Sequence, residues 1–366
     1  MRIIVASRPD RAYFFGMVPT AWALRAAGHE VRIAVQPPMV EEAVETGLTV
    51  MPLGGGTVGG GEPWSGGKDL WVNDLVAFCR EWEPDLVLWE ASTYEGAVAA
   101  QASGAAHGRF LSGPDTRPSP APLRKWMDET VQRLGLTPTP SLFSGHFSVC
   151  TLPEGLAGRS PRGGVPRLCV RPVPYRGAAS LPSWARGSTQ GVRVLVDGAS
   201  WTRSPQGTEA LARAVALPGV ETVFLPSGTA EAGPPLPEGV RTAEASSLHL
   251  LLETASAVVH GGSHDVVCTA ALRGTAQVAV IDPGSWGSHT LIRVAEERGC
   301  AAVLTVDEVL GGSLPEAVSR MLDADRGALE SLRKEMEGVP APDELVPVLE
   351  EYAERFRDRR RPTGIR

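Results

Sequence analysis

The chain has 366 residues, 43% of them apolar and 21% charged, and its 35 Lys and Arg against 42 Asp and Glu give a net charge of −7. That composition supplies large cores for two or three soluble domains and is unlike a disordered chain. The acidic balance argues against a nucleic-acid partner, and no run approaches the roughly 20 apolar residues of a membrane span. Five scattered cysteines (Cys79, Cys150, Cys169, Cys268, Cys300) have neither the pairing of a disulfide framework nor zinc-ligand spacing. The N-terminal MRIIVAS reads as a first strand rather than a leader, so a cytoplasmic protein is expected.

Residues 2–7 form a β-branched run, and MVPTAWALRAAGHEV after it suits a helix that Gly28 ends before the strand VRIAV. These strands are continuously apolar, the pattern of a parallel sheet covered on both faces. A third strand leads into GGGTVGGGEPWSGG at 54–67, with eight glycines in fourteen positions. This is either a plain surface loop or a lid over substrate, since ligands on such sheets sit at the carboxyl ends of strands. A strand at 85–89, a helix over 95–102 and a strand at 108–112 continue the alternation.

Residues 151–192 are rich in Pro, Gly, Arg and Ser with weak periodicity and read as a linker. The cycle restarts with RVLVDG from 193, a helix over 207–216, ETVFLP, ASAVVHGG, a helix over 264–273 and QVAVID. Two such runs predict two doubly wound domains, at 1–180 and 193–342, joined by 181–192. The segment 343–366 is an amphipathic helix with a basic tail, expected to pack back on the first domain.

The strongest local signal is SAVVHGGSHDVV, in which a strand runs into Gly261, Gly262 and Ser263 and a helix begins at once. Glycines let backbone approach a ligand, Ser263 suits a helix cap, and amides at a helix start attract phosphate. His260, at the strand end, is placed to donate to a phosphate oxygen. A strand-Gly-Gly-Ser-helix connection is also simply a good tight turn.

That turn, with LHLLL at 248–252 and RVAEERGCA at 293–301, resembles the donor-binding region of family 1 glycosyltransferases. The likeness is greatest to bacterial enzymes that attach deoxysugars to polyketide antibiotics, and MVPTAWALRAAGHEVRIAVQPP, GAAHGRFLSGPD and RPVPYRGAASLPSW extend it along the chain. It implies an α/β architecture, the GT-B fold, with two Rossmann-like parallel-sheet domains facing a cleft. Acceptor would bind mainly to the first and nucleotide sugar to the second.

By resemblance, His260, Gly261, Gly262, Ser263 and His264 would hold the pyrophosphate. Ser246, Ser247 and Leu248 would line the nucleobase, Ser200 and Trp201 the phosphates or sugar, and Ser285 and Trp286 the sugar. Phe14, Phe15, Trp64 and Tyr94 would face an apolar aglycone. The implied partners are a thymidine diphosphate deoxysugar and a hydrophobic acceptor, with no cofactor and no metal; a homodimer is compatible with the likeness.

The chain departs from its relatives where proton and sugar are handled. Tyr13 stands where they carry a histidine base, and a phenol of pKa near 10 is a poor base at neutral pH. Asp10 and Asp115 are the replacement carboxylates, each also readable as a turn residue. His264-Asp265 replaces Gly-Thr after the phosphate turn, and Trp286-Gly287 replaces Asp-Gln in PGSWGSH. The expected activity is inverting glycosyl transfer. The same three departures fit a non-catalytic binding protein, and a sugar-nucleotide epimerase is the remaining alternative.

Overall fold

The computed structural model describes residues 1–54, 68–113, 121–158, 164–186, 191–198, 219–226, 236–281 and 289–357. It comprises two compact units, one of Met1–Arg171 with Pro340–Arg366 and one of Pro172–Val339. The glycine-rich segment beyond Gly54, the helix expected over 207–216, and Trp64, Asp115, Ser200, Trp201, Ser285 and Trp286 lie outside the described residues.

In the first unit β1 (Arg2–Ala6), β2 (Glu30–Val35), β3 (Thr49–Pro52), β4 (Leu86–Glu90), β5 (Ala106–Leu111), β6 (Phe147–Cys150) and β7 (Arg167–Cys169) form one sheet. The order is β3-β2-β1-β4-β5-β6-β7, with every pair parallel. Ile3, Ile4, Val5, Leu86, Val87 and Leu88 are at most 1% exposed, which is why these runs show no polar alternation. Burying such a side chain contributes about 1.5–3 kcal/mol. The helix Glu95–Ser103 lies directly on the sheet because its residues are small. A Cβ added at Gly96 would stand 2.6 Å from Cβ of Trp89, so no larger residue fits there without displacement.

Two strands fall where weak periodicity suggested little. β6 continues the sheet, and β7, inside the 151–192 stretch read as linker, pairs with it from Ser148↔Arg167 to Cys150↔Cys169. Three residues bounded by Gly and Pro are too few to show a period. The helix Pro342–Phe356 belongs to the first unit: Tyr352 meets Phe147 edge-on at 4.9 Å, and Phe356 stacks on His146 at 4.6 Å.

The second unit contains β8 (Arg193–Asp197), β9 (Glu221–Leu225), β10 (Arg241–Thr242), β11 (Ala257–His260), β12 (Ala276–Ile281) and β13 (Ala301–Thr305). Their order is β10-β9-β8-β11-β12-β13, again all parallel. Each sheet therefore reverses its winding once, between β1 and β4 in the first unit and between β8 and β11 in the second. Open parallel sheets bind ligands beyond the carboxyl ends of the strands at that reversal.

Candidate functional site

At the reversal of the second sheet, β11 ends in His260 and the helix His264–Arg273 begins after Ser263, its N-cap. Gly262 has φ +79°, a conformation that costs a side-chain-bearing residue about 1–2 kcal/mol. By helix geometry the first-turn amides point out of this end and make it attractive to anions.

His260 has a different task from the one its sequence position suggested. It is fully buried, Nδ1 accepts from the amide of Gly262 at 3.0 Å, and Nε2 lies 3.1 Å from Oε1 of Gln277. With Nδ1 accepting, the proton resides on Nε2 and is given to Gln277. Burial holds the ring neutral, its pKa brought down to about 4. Both nitrogens are committed inside the protein, which corrects the expectation of a phosphate donor: His260 moulds the turn.

Beside this turn lies a charged cluster. Arg176 Nη1 is 3.3 Å from Oδ2 of Asp197, at the end of β8, and Nε is 3.4 Å from Oδ2 of Asp265, in the first turn of the helix. Asp197 is fully buried. Burial would lower the pKa of Arg176, but the two carboxylates outweigh it and raise the value. Asp265 Oδ1 is buried without a hydrogen-bond partner among the described residues. The cation thus offsets the acid in the first turn of the helix, at the positive end of its dipole. Sequence reading noticed Asp265 but missed Arg176, Asp197 and Gln277. Their partners are 17 to 89 positions away, and only the arginine within an otherwise weakly patterned segment was there to notice.

The nucleobase assignments need correction at two positions. Leu248 is fully buried in the core, and Ser247 is buried with its hydroxyl donating to the carbonyl of Ser180 at 3.0 Å. Both positions hold the local fold, leaving the half-buried Ser246 as the more accessible of the three.

At the reversal of the first sheet the ends of β1 and β4 border an open pocket of about 660 Å3, solvent included. Arg8, Pro9 and Gln36 form one side, Ser92, Thr93, Tyr94 and Glu95 another, and Trp71 and Trp126 supply flat apolar walls. Tyr94 is buried against Trp89, ring centroids 5.4 Å apart, with an edge on the pocket. Behind it Glu90 is buried, its Oε2 accepting from the amide and hydroxyl of Ser92 and from the hydroxyl of Thr93. Burial raises its pKa, although those donors and Arg8 pull the other way. Trp71 and Trp126 were not anticipated, since a lone tryptophan on an amphipathic helix carries no site signal.

Phe14 and Phe15 are 0% and 6% exposed, lie with tilted rings 5.6 Å apart and are not among the pocket's lining residues. This corrects their acceptor role to a core one. Asp10 caps the helix Arg11–Ala26, accepting from the amide of Ala12 at 3.1 Å. Tyr13, in the first turn, has its pKa raised further, chiefly by burial and then by Glu90. That removes the condition under which the phenol could act as a base. Among the described residues no group of three or more His, Cys, Asp or Glu is arranged to hold a metal, and no helix is long and apolar enough to cross a membrane.

Residues 22–59 and 56–199 match the N-terminal domain, and 209–352 the C-terminal domain, of the family described as erythromycin biosynthesis protein CIII-like. The chain is similar to aklavinone 7-beta-L-rhodosaminyltransferase of Streptomyces galilaeus, 32% identical with 100% of this chain and 99% of that one covered. Among solved structures it resembles the glycosyltransferase VinC in complex with DTDP (28% identity, TM-score 0.82, covering 97% of this chain and 100% of that chain). It also resembles spinosyn rhamnosyltransferase SpnG complexed with spinosyn aglycone (25% identity, TM-score 0.76, covering 96% and 100%). With both family domains matched in order along the chain and both sheets wound as described, the chain belongs to the erythromycin biosynthesis protein CIII-like family and is a GT-B glycosyltransferase.

Proposed function

We propose that this enzyme moves a deoxysugar from a thymidine diphosphate donor to a polyketide or other aromatic natural-product acceptor, with inversion at the anomeric carbon and no divalent metal. The turn after β11 carries the donor side of this reading. It sits at the sheet reversal, His260 and Gln277 lock it from beneath, and it faces outward with a helix N-terminus. A pyrophosphate meets backbone dipoles there, and Arg176 limits the repulsion from Asp265. VinC, which the chain resembles, was solved with DTDP.

In the reaction the acceptor oxygen or carbon attacks the anomeric carbon while the bond to the diphosphate oxygen breaks. The departing electron pair develops charge on the terminal phosphate, where fixed amide dipoles stabilise it more in the transition state than in the ground state. The pocket with Trp71, Tyr94 and Trp126 is the acceptor side, its indole walls suited to a flat apolar molecule. Spinosyn rhamnosyltransferase SpnG, which the chain resembles, was solved with spinosyn aglycone, which supports an aglycone as the acceptor class.

The test is incubation with a panel of thymidine diphosphate deoxysugars and aromatic aglycones in excess EDTA, read by mass. A product heavier by one sugar is expected. Product that appears only when EDTA is omitted would refute the metal-free mechanism. No product from a protein that binds no nucleoside diphosphate would favour a non-catalytic role.

A further inference from the structure

We propose that Arg8 is an acceptor-binding residue that holds the nucleophile as a phenolate or enolate, so that the enzyme selects planar acceptors with an acidic ring hydroxyl in place of using a dedicated base. The proposal rests on the reading of the first unit's pocket as the acceptor site.

Arg8 follows β1 directly and lines the pocket with Trp71, Tyr94 and Trp126. A guanidinium carries five donors in a planar fork. Those of Arg8 are little used: Nη1 reaches the hydroxyl of Ser92 at 3.4 Å, a long contact, and the group lies over the face of Tyr13 at 5.1 Å. Among the described residues it makes no ion pair.

The surrounding titratable groups are Asp10 and Tyr13 from the helix after β1, Glu90 at the end of β4, and Glu95 on the helix that follows. Asp10 is engaged as a helix cap; Oε2 of Glu90 is occupied by Ser92 and Thr93, and Arg8 attracts that buried carboxylate without forming an ion pair with it among the described residues. Tyr13 keeps its proton. Glu95 shares the pocket wall with Arg8.

The chemistry then narrows the acceptor. A cation at contact distance in a partly desolvated pocket lowers the pKa of a bound acid by about 1–3 units. That brings a phenol of pKa near 10 toward neutrality, whereas an aliphatic alcohol, nearly as weak an acid as water at about 15.7, stays protonated. The phenol releases its proton to water and its oxygen forms the bond to the anomeric carbon. The bond from that carbon to the diphosphate breaks, its electron pair leaving with the nucleotide.

The probe is 1,2-dihydroxyanthraquinone, whose phenolate absorbs at longer wavelength than its phenol. It is titrated with pH while bound to the full chain in the presence of thymidine diphosphate. Bound dye is expected to ionise about one pH unit or more below free dye. Arg8→Lys should retain most of that shift, and Arg8→Met should abolish it with the dye still bound. Three outcomes overturn the proposal: bound dye ionising like free dye, Arg8→Met shifting it as the unaltered protein does, or a protein that binds thymidine diphosphate but not the dye. Nucleotide affinity, measured separately by calorimetry, is expected to be equal in all three proteins and reports independently on the transferase reading.

Discussion

Replacing Arg176 by methionine removes the cation shared by Asp197 and Asp265 while keeping most of its bulk. The nitrogen–oxygen separations are 3.3 and 3.4 Å, and the arginine and Asp265 side chains are only 16% and 17% exposed. Two unit charges about 4 Å apart attract by about 4 kcal/mol at an effective dielectric of about 20, and desolvation cancels most of this in the intact cluster. Removing one partner leaves the desolvation without the attraction, a loss of about 3–5 kcal/mol. In a unit of this size each kcal/mol lowers Tm by about 2–4 °C, so even the lower figure gives about 6–12 °C. Calorimetric unfolding of the full chain reads this as an earlier transition of the second unit, and adding Asp265→Asn should restore part of the loss. A Tm for Arg176→Met within about 2 °C of the unaltered protein would refute the view that this arginine neutralises two buried acids.

Other outcomes follow from the same geometry. Burial holds His260 and His146 at pKa values of about 4 and His107 well below the ordinary value. The unfolded chain, with histidines near 6.5, binds more protons across that interval, so stability should fall as pH drops from about 6.5 to about 4; a melting temperature flat over that range would contradict it. Tyr13→Phe should leave turnover within about threefold, whereas removal of a true general base costs about 10²–10⁴-fold. Asp10→Asn preserves an acceptor for the amide of Ala12 and should likewise change turnover little; a loss on the base scale would make Asp10 the base. Trp126→Ala, which removes one wall of the acceptor pocket, should raise the acceptor KM by about tenfold, on the order of 1.4 kcal/mol, and leave nucleotide affinity unchanged.

The two sheets were legible because their strands carry a strong signal. RIIVA and RVLVD are buried on both faces, so composition alone marks them. β6 and β7 escaped because Ser148 interrupts the short apolar run of the one and the other has only three half-buried residues led by Arg167. The glycine turn could be found from Gly261, Gly262 and Ser263, yet the role of His260 could not. What decides it is burial and the proximity of Gln277, set by the pairing of β11 with β12. Phe14 and Phe15 misled for a related reason: on a helix in the first loop of such a domain, an aromatic pair that faces a ligand looks the same as one that faces the core. Arg8 and Arg176 gained their meaning only when the strand order brought distant acids and aromatic walls around them.

Calorimetric titration of thymidine diphosphate into the full chain with EDTA present, run beside Gly262→Ala, tests the donor site most directly. The site described here predicts micromolar binding to the unaltered protein and weaker binding to the variant, whose added methyl strains a backbone at φ +79°. Absence of binding to the unaltered protein, or equal binding to both, would contradict it.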